Sequence, residues 1–258
     1  MSAVRLHDLT LGYERRPAVH HLDGAFSTSR LTAVVGPNGS GKSTLLKGVA
    51  GALPPLAGRI ELNGFKHRDI AYRPQDNGVD KQFPITLEDL VALGFWRRRG
   101  LFGGLTRSDR ARLREAMAAV GLEGFESRAI GSVSGGQLQR ALFARVLLQD
   151  AGLILLDEPF TALDARTTSD LIDLIQRWPR EGRTVIMVLH DLDVVRQLCG
   201  DTLLLAREKV AWGPTGEALA PENLLVARRL SEAWSDDPQV CHRHDDDHPA
   251  HDEAEHRH

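Results

Sequence analysis

Cysteine is nearly missing from this sequence. Cys199 and Cys241 are the two present in 258 residues, too few for the disulfide framework that staples small secreted domains. Also missing is any apolar run near the roughly 18 residues that a membrane-crossing helix needs; the longest candidates, Leu153–Leu156 and Thr184–Leu189, are strand-sized. Met1 to Thr10 has no basic segment leading into an apolar one, so no secretory leader is expected and the expected setting is a reducing cytosol. Lysine is scarce, five against 27 arginines. A strong positive excess is absent as well. The formal net charge is −3, which argues against nucleic acid as the main partner, because surfaces that neutralise phosphates make a domain basic. No internal repeat is found.

What remains is ordinary globular material, 42% hydrophobic and 26% charged. At about 100–200 residues per domain, the length allows one large domain with an insertion or two modest ones. Leu31–Val35 reads as a short apolar strand, Gly36–Thr44 as a Gly-rich turn and Ser43–Ala50 as a helix; Gly58–Leu62 and Ile70–Tyr72 read as strands. From Thr86 to about Gln149, helix follows helix. Leu87–Leu93, Ser108–Val120 and Gln137–Gln149 repeat apolar residues at three-to-four spacing, with Ser108 and Ser134 as expected N-caps. Leu153–Leu156, Thr184–Leu189 and Thr202–Ala206 are uninterrupted apolar runs, as for strands covered on both faces, separated by helices Ala165–Trp178 and Asp191–Leu198. The expectation is an α/β fold: a mostly parallel sheet carrying an α-helical insertion at about residues 76–150, within a domain of residues 1–235. Val210–Trp212 closes a hairpin and Pro221–Trp234 forms a helical end. Residues 236–258 are expected to be a disordered tail. Residues 242–258 hold six of the eleven histidines and set two arginines against six acids, which leaves the rest of the chain at +1.

Three stations carry chemistry. Gly36, Pro37, Asn38, Gly39, Ser40, Gly41, Lys42, Ser43 and Thr44 fit G-x-x-x-x-G-K-[ST] between an apolar strand and a helix. The glycines let the backbone fold into a nest of N–H donors around a β-phosphate, Lys42 brings an ammonium to the β- and γ-oxygens, and Ser43 offers a hydroxyl to Mg²⁺. That a lysine stands here in so arginine-rich a chain fits a slot too tight for a guanidinium. The second station is the strand Leu153–Leu156, which delivers Asp157 and Glu158 at its C-terminal end, the edge where open α/β sheets bind ligands. Asp157 would hold Mg²⁺ through water, and Glu158 would orient or deprotonate the water that attacks the γ-phosphate. The third is Val133, Ser134, Gly135, Gly136, Gln137, Leu138, Gln139 and Arg140. Ser134 and Gln137 have the spacing of a capping box. The two glycines exceed what a cap needs and leave bare N–H groups at the positive end of a helix, suited to an anion.

With Ala162, Leu163 and Asp164 and with His190 after an apolar strand, these stations stand in the order and spacing of the nucleotide-binding subunits of ABC transporters, which the chain resembles over about residues 3–230. The resemblance implies a P-loop NTPase core with an N-terminal antiparallel β subdomain. It implies that ATP and Mg²⁺ are bound and that ATP is hydrolysed, with Lys42, Gln75, Glu158 and His190 as catalytic groups and Ser43, Gln75 and Asp157 around Mg²⁺. Tyr13 would stack on adenine, Gln75 would link Mg²⁺ and the attacking water to the helical insertion, Asp164 would contact a second subunit, and His190 would reach the γ-phosphate. From the residues alone, Tyr13 is equally a strand-edge aromatic and His190 a strand end before an Asp-capped helix. Two departures are small: Val133 stands where the family usually has Leu, and Arg73 where it usually has an apolar residue.

The resemblance further implies a homodimer, in which each ATP lies between the P-loop of one copy and the Ser134–Gln137 stretch of the other. It also implies integral-membrane permease partners, a secreted or periplasmic solute-binding protein, and a place on the cytoplasmic face of the membrane. Asp80 to Thr86, with Leu87, Leu90 and Val91, resembles the subfamily that takes up zinc, manganese or iron, and iron-chelate importers share much of that stretch. A soluble ABC ATPase acting on DNA or ribosomes is the rival, but tandem cassettes and a long coiled coil are both lacking. Arg97, Arg98, Arg99, Arg107, Arg110, Arg112 and Arg114 form either a solvated basic face or a contact for headgroups or permease. In the tail, His242, His244, His248, His251, His256 and His258 are candidate Zn²⁺ ligands among acids, or part of a merely solvated segment.

Overall fold

The computed structural model describes residues 1–236, apart from 15, 76–77, 97–103 and 162; the six tail histidines and Arg97 to Arg99 lie outside the described residues. Two sheets organise the chain. β1 (Ser2–Tyr13), β2 (Arg16–Ser27) and β4 (Ala57–Leu62) form an antiparallel sheet in the order β2-β1-β4. Its inner face, with Val4, Leu6, Leu9, Leu11, Val19 and Phe26, packs on Leu45, Leu46 and Val49 of α1 (Lys42–Val49).

The second sheet has the order β5-β6-β7-β3-β8-β9. β3 (Leu31–Val35), β5 (Ile70–Arg73), β6 (Leu153–Asp157), β7 (Thr184–Val188) and β8 (Asp201–Ala206) run parallel, and β9 (Glu208–Pro214) returns antiparallel from a turn at Arg207. Every residue of β3, β6 and β7 is buried, which is why their sequences are continuous apolar runs rather than alternating ones.

Between β5 and β6 lie α2 (Leu87–Ala92), α3 (Arg107–Ala119) and α4 (Gly135–Gln149). Each begins at a reciprocal capping box, set by Thr86 with Asp89, Thr106 with Asp109 and Ser134 with Gln137. The expectation that Ser108 caps α3 is therefore corrected. The N-cap is Thr106, whose Oγ1 accepts from the Asp109 amide at 3.2 Å while Asp109 Oδ2 accepts from the Thr106 amide at 2.8 Å. Ser108 has Ala111 three residues on and cannot close such a box; its hydroxyl instead lies 2.9 Å from that of Thr106. α4 buries Leu138, Ala141, Leu142, Phe143, Ala144, Val146 and Leu148 and packs against α2, α3 and β5. Phe143 stacks on Trp178 with centroids 5.8 Å apart and planes 10° from parallel.

α5 (Ala165–Arg177) and α6 (Leu192–Leu198) complete the β6-to-β8 crossovers, and α7 (Thr215–Ala218) and α8 (Pro221–Asp236) close the described chain. Among the described residues no helix is long and apolar enough to cross a membrane. Because Phe143 is buried and stacked on Trp178, Phe143→Ala is expected to lower the unfolding free energy by about 3–5 kcal/mol. Urea unfolding followed by tryptophan fluorescence measures it, and a loss below about 1 kcal/mol would show that the stack contributes little to stability.

Candidate functional site: a phosphate cradle at the sheet edge

β3 ends at Val35 and the chain turns through residues 36–41 into α1. Two glycines there are demanded by neighbouring backbone. A Cβ on Gly36 would lie 1.9 Å from the Leu205 carbonyl oxygen of β8; one on Gly41, which has φ +92° and caps α1, would lie 2.4 Å from the Ala18 carbonyl oxygen of β2. α1 has no acidic residue in its first turn, so the positive end of its dipole and its free N–H groups remain available to an anion. Lys42 is 6% exposed and donates to the carbonyls of Gly36 at 2.9 Å and Pro37 at 2.7 Å. Burial pushes its ammonium below the ordinary lysine value, against the opposing pull of Glu158 and Asp157.

Ser43 at the start of α1 meets Asp157 at the end of β6: the Ser43 hydroxyl donates to Asp157 Oδ1 at 3.1 Å. Asp157, at the end of β6, is 1% exposed, and burial raises its carboxyl above the ordinary value. The Ser43 hydroxyl, the backbone N–H of Gln75 and the charge of Lys42 pull the other way. These oxygen donors suit a hard divalent cation that keeps several waters, so the pair fits Mg²⁺.

Glu158 follows in the left-handed region at φ +47°, an unusual conformation for a non-glycine residue of the kind that gathers at functional sites. Its amide donates to the Val188 carbonyl at 3.2 Å. The conformation aims its carboxylate at the next strand, where Oε1 lies 2.5 Å from His190 Nε2 and Oε2 accepts from Thr161 Oγ1 at 3.2 Å. A cavity of about 680 Å³ is lined by Ala18, residues 38–44, Gln75, Glu158 and His190. The structure thus brings together the P-loop, Gln75, Glu158 and His190, with Asp157 behind Ser43.

Other expected site residues stand elsewhere. Tyr13, at the end of β1, is 46% exposed and does not line the cavity; its hydroxyl accepts from Lys47 Nζ at 3.1 Å. Ser134 caps α4, accepting from the Gln137 amide at 3.2 Å, and Gln137 Oε1 accepts from the Ser134 amide at 3.0 Å. The capping role is therefore used, while a Cβ on exposed Gly135 would meet nothing within 4 Å: packing does not demand that glycine. None of residues 134–137 lines the cavity. Asp164 caps α5, and hydrogen bonds from the Thr167 amide at 2.9 Å and hydroxyl at 2.8 Å hold its carboxyl below the usual range. Among the described residues there is no cluster of three or more His, Cys, Asp or Glu side chains able to hold a metal.

The residue that sequence reasoning passed over is Arg73. Noted only as a departure from an apolar position, it is 3% exposed and donates to the carbonyls of Asp157 and Glu158 and to Gln139. The departure itself was the available signal.

A glycine-rich cradle, a buried lysine and a carboxylate pair on one edge of a parallel sheet define a P-loop ATPase. The sequence pattern of the ABC transporter family matches residues 19–161, and the chain belongs to that family as an ATP-binding, ATP-hydrolysing subunit. It is 39% identical over 215 residues to the manganese transport system ATP-binding protein MntA of Synechocystis, spanning 81% of this chain and 83% of that one. It is 38% identical over 224 residues to the zinc transport system ATP-binding protein TroB of Treponema pallidum, spanning 85% and 84%. Among solved structures, a metal-chelate type ABC transporter in an inward-facing conformation superposes with TM-score 0.76 at 28% identity, covering 89% of this chain and 90% of that one. A dimeric ATP-binding cassette bound to ADP and phosphate gives 0.72 at 25% identity, covering 82% and 98%.

The buried Asp157 carboxylate yields a prediction of definite sign. Its folded-state pKa is raised above the unfolded value, so its contribution to stability is present at low pH and is lost as pH rises through the folded pKa. Asp157→Asn should therefore raise the melting temperature of the nucleotide-free protein at pH 7. The gap should narrow as pH falls towards about 4, near the ordinary carboxyl value. Differential scanning calorimetry across that range measures it, and a gap that widens on acidification would give the carboxylate the opposite role.

Proposed function

We propose that this chain powers the import of a divalent transition metal, manganese or zinc, as one of two identical ATPase subunits on the cytoplasmic face of a membrane. A permease would lie beneath them, and a solute-binding protein on the far side would deliver the metal. The observation that carries the reading is that relatives 34–39% identical over 81–87% of the chain are named metal, manganese or zinc transport ATP-binding proteins. A metal chelate is the second reading, favoured by the metal-chelate type transporter whose fold superposes at 28% identity.

In the proposed cycle, residues 38–44 and Lys42 hold the β- and γ-phosphates, and Tyr13 takes the adenine. Ser43, Gln75 and, through water, Asp157 would hold Mg²⁺, which when bound neutralises charge on the phosphate oxygens. Glu158 accepts or orients the proton of the attacking water. The water oxygen bonds to the γ-phosphorus as the bond to the β,γ-bridging oxygen breaks, giving ADP and phosphate. His190, just past the end of β7, contacts Glu158 and lines the cavity, and would reach the γ-phosphate from there. Residues 134–137 form a helix end that does not line the phosphate cavity of its own chain, with the amides of Gly135 and Gly136 outside the capping box, which supports a second copy, with Asp164 at the contact, as the source of their phosphate.

Glu158→Gln should bind ATP but lose turnover by about a hundredfold or more and accumulate as an ATP-bound dimer, whereas Lys42→Ala should lose ATP affinity itself. Ser134→Arg should abolish hydrolysis and leave the affinity of the isolated monomer within about twofold of wild type. Mixing it with Lys42→Ala restores one composite site per heterodimer. Steady-state ATPase assays and size-exclusion chromatography read these outcomes, and a mixture with no ATP-dependent association would rule out the shared site. Transport into proteoliposomes of the subunit with its permease, offered free Mn²⁺, free Zn²⁺ or a metal chelate, separates the metal readings.

Zinc in particular draws support from the six tail histidines. If they bind it, deleting residues 241–258 should remove a calorimetric zinc signal that fades below about pH 6.5, the unperturbed imidazole value. Equal zinc uptake by the full-length and shortened chains would remove the tail from the account.

A further inference from the structure

Arg73 is the last residue of β5, the register partner of Leu156 in β6 and two residues before Gln75. Its guanidinium is enclosed. Nη1 donates to the carbonyl oxygens of Asp157 at 3.3 Å and Glu158 at 3.5 Å, and Nη2 donates to Gln139 Oε1. One rigid group therefore touches the backbone that carries the Mg²⁺-side carboxylate, the backbone of the residue held at φ +47°, and the fifth residue of α4, two beyond Gln137. An apolar side chain would fill the position without burying a charge, and burying a charge costs several kcal/mol unless it is paired. Burial lowers this guanidinium to about 10, with Asp157 opposing, so it remains a cation at neutral pH, and its Nε has no hydrogen-bond partner among the described residues. Stability alone does not call for such a residue.

We propose that Arg73 is a positioning residue for ATP hydrolysis: it fixes the peptide that aims Glu158 and, through Gln139, ties that aim to the placement of α4 and its Ser134–Gln137 end. The inference rests on the reading that Glu158 activates the attacking water. The guanidinium is planar with its donors in a fixed fork, and hydrogen bonds weaken steeply with misalignment. A shift of α4 relative to β6 therefore cannot preserve both ends at once. When α4 is in register, the Glu158 carbonyl is held and the carboxylate faces the cavity. When α4 moves, Arg73 must leave Gln139 or leave the Asp157–Glu158 carbonyls, and in the second case the left-handed turn loses its support. The arrangement makes hydrolysis depend on where the signature helix sits, through the Arg73 guanidinium.

The test compares kcat, KM and ATP dissociation constants of the full-length chain with those of Arg73→Met, Gln139→Leu, Gln139→Glu, Arg73→Met/Gln139→Leu and Glu158→Gln. Misplacement of a reacting group by about an ångström can lower a rate a hundredfold. Arg73→Met is therefore expected to lower kcat about tenfold to a hundredfold while the ATP dissociation constant moves less than about twofold. Gln139→Leu should lower kcat less, the double variant should be no worse than Arg73→Met alone, and Gln139→Glu, which keeps an acceptor for the guanidinium, should rescue. Wild-type kcat in Arg73→Met, defects that multiply in the double variant, or a parallel loss of ATP affinity would each overturn the proposal. Should Arg73→Met fail to fold, the half-buried Gln139 pair decides by the same kcat split. An active Glu158→Gln would instead overturn the reading of the site beneath it; an inactive one beside an unimpaired Arg73→Met would overturn the positioning role alone.

Discussion

The register of three parallel strands is the constraint on which the rest depends. Val188 of β7 is the partner of Val34 in β3 on one side and of Asp157 in β6 on the other, so the three strands end level. Because they end level, the turn after β3, the carboxylates after β6 and His190 after β7 emerge at one edge. A slip of one residue in β6 would turn Asp157 to the other face of the sheet and take its carboxylate away from Ser43. Burial of every residue in β3, β6 and β7 between covering layers is what forbids such a slip. The aliphatic core thus sets the 3.1 Å contact between Ser43 and Asp157.

Much of this was legible before any coordinates. The apolar run at 31–35 read as a strand and those at 153–156 and 184–189 as strands covered on both faces, and the glycines and lysine after the first pointed to a phosphate. The neighbours at 25% and 28% identity share that fold. Less legible were features whose cause lies far away in the chain. β1 loses its alternation because Asp8, at φ +44°, shifts the register and puts Leu9, Thr10 and Leu11 all inside; a period of two cannot be followed through a bulge. Thr106 was passed over for Ser108 because both are good caps, and only the partner three residues on separates them. Arg73 was legible as an oddity and not as a bond, since its acceptors come from residues 66 and about 85 positions away.

The site divides into groups the chain assembles and groups it holds apart. Lys42, Ser43, Asp157, Glu158 and His190 are locked by bonds within one edge. Ser134, Gln137 and Asp164 each satisfy their own helix ends and are fully formed away from the cavity. A capped helix end needs no ligand to be stable, so it can be presented and withdrawn as a rigid unit. That is the property a site shared between two copies requires, since each half must persist when the halves are apart.

Three charged side chains, Lys42, Arg73 and Asp157, are each less than a tenth exposed within this edge, and burial shifts each towards its neutral form. Such a cluster is a poor way to stabilise a fold. It is a good way to keep hydrogen-bonding directions fixed where water would otherwise blur them, because in a low-dielectric setting a charge holds its partners more strongly. Lys42 fastens the phosphate loop to itself through Gly36 and Pro37, and Arg73 fastens the strand end to α4 through Gln139. The Asp157 carboxylate is bonded to Ser43 of the helix that follows the phosphate loop, and its backbone carbonyl to Arg73, so both connections run through one residue. A fold selected for stability alone would have filled that point with aliphatic carbon.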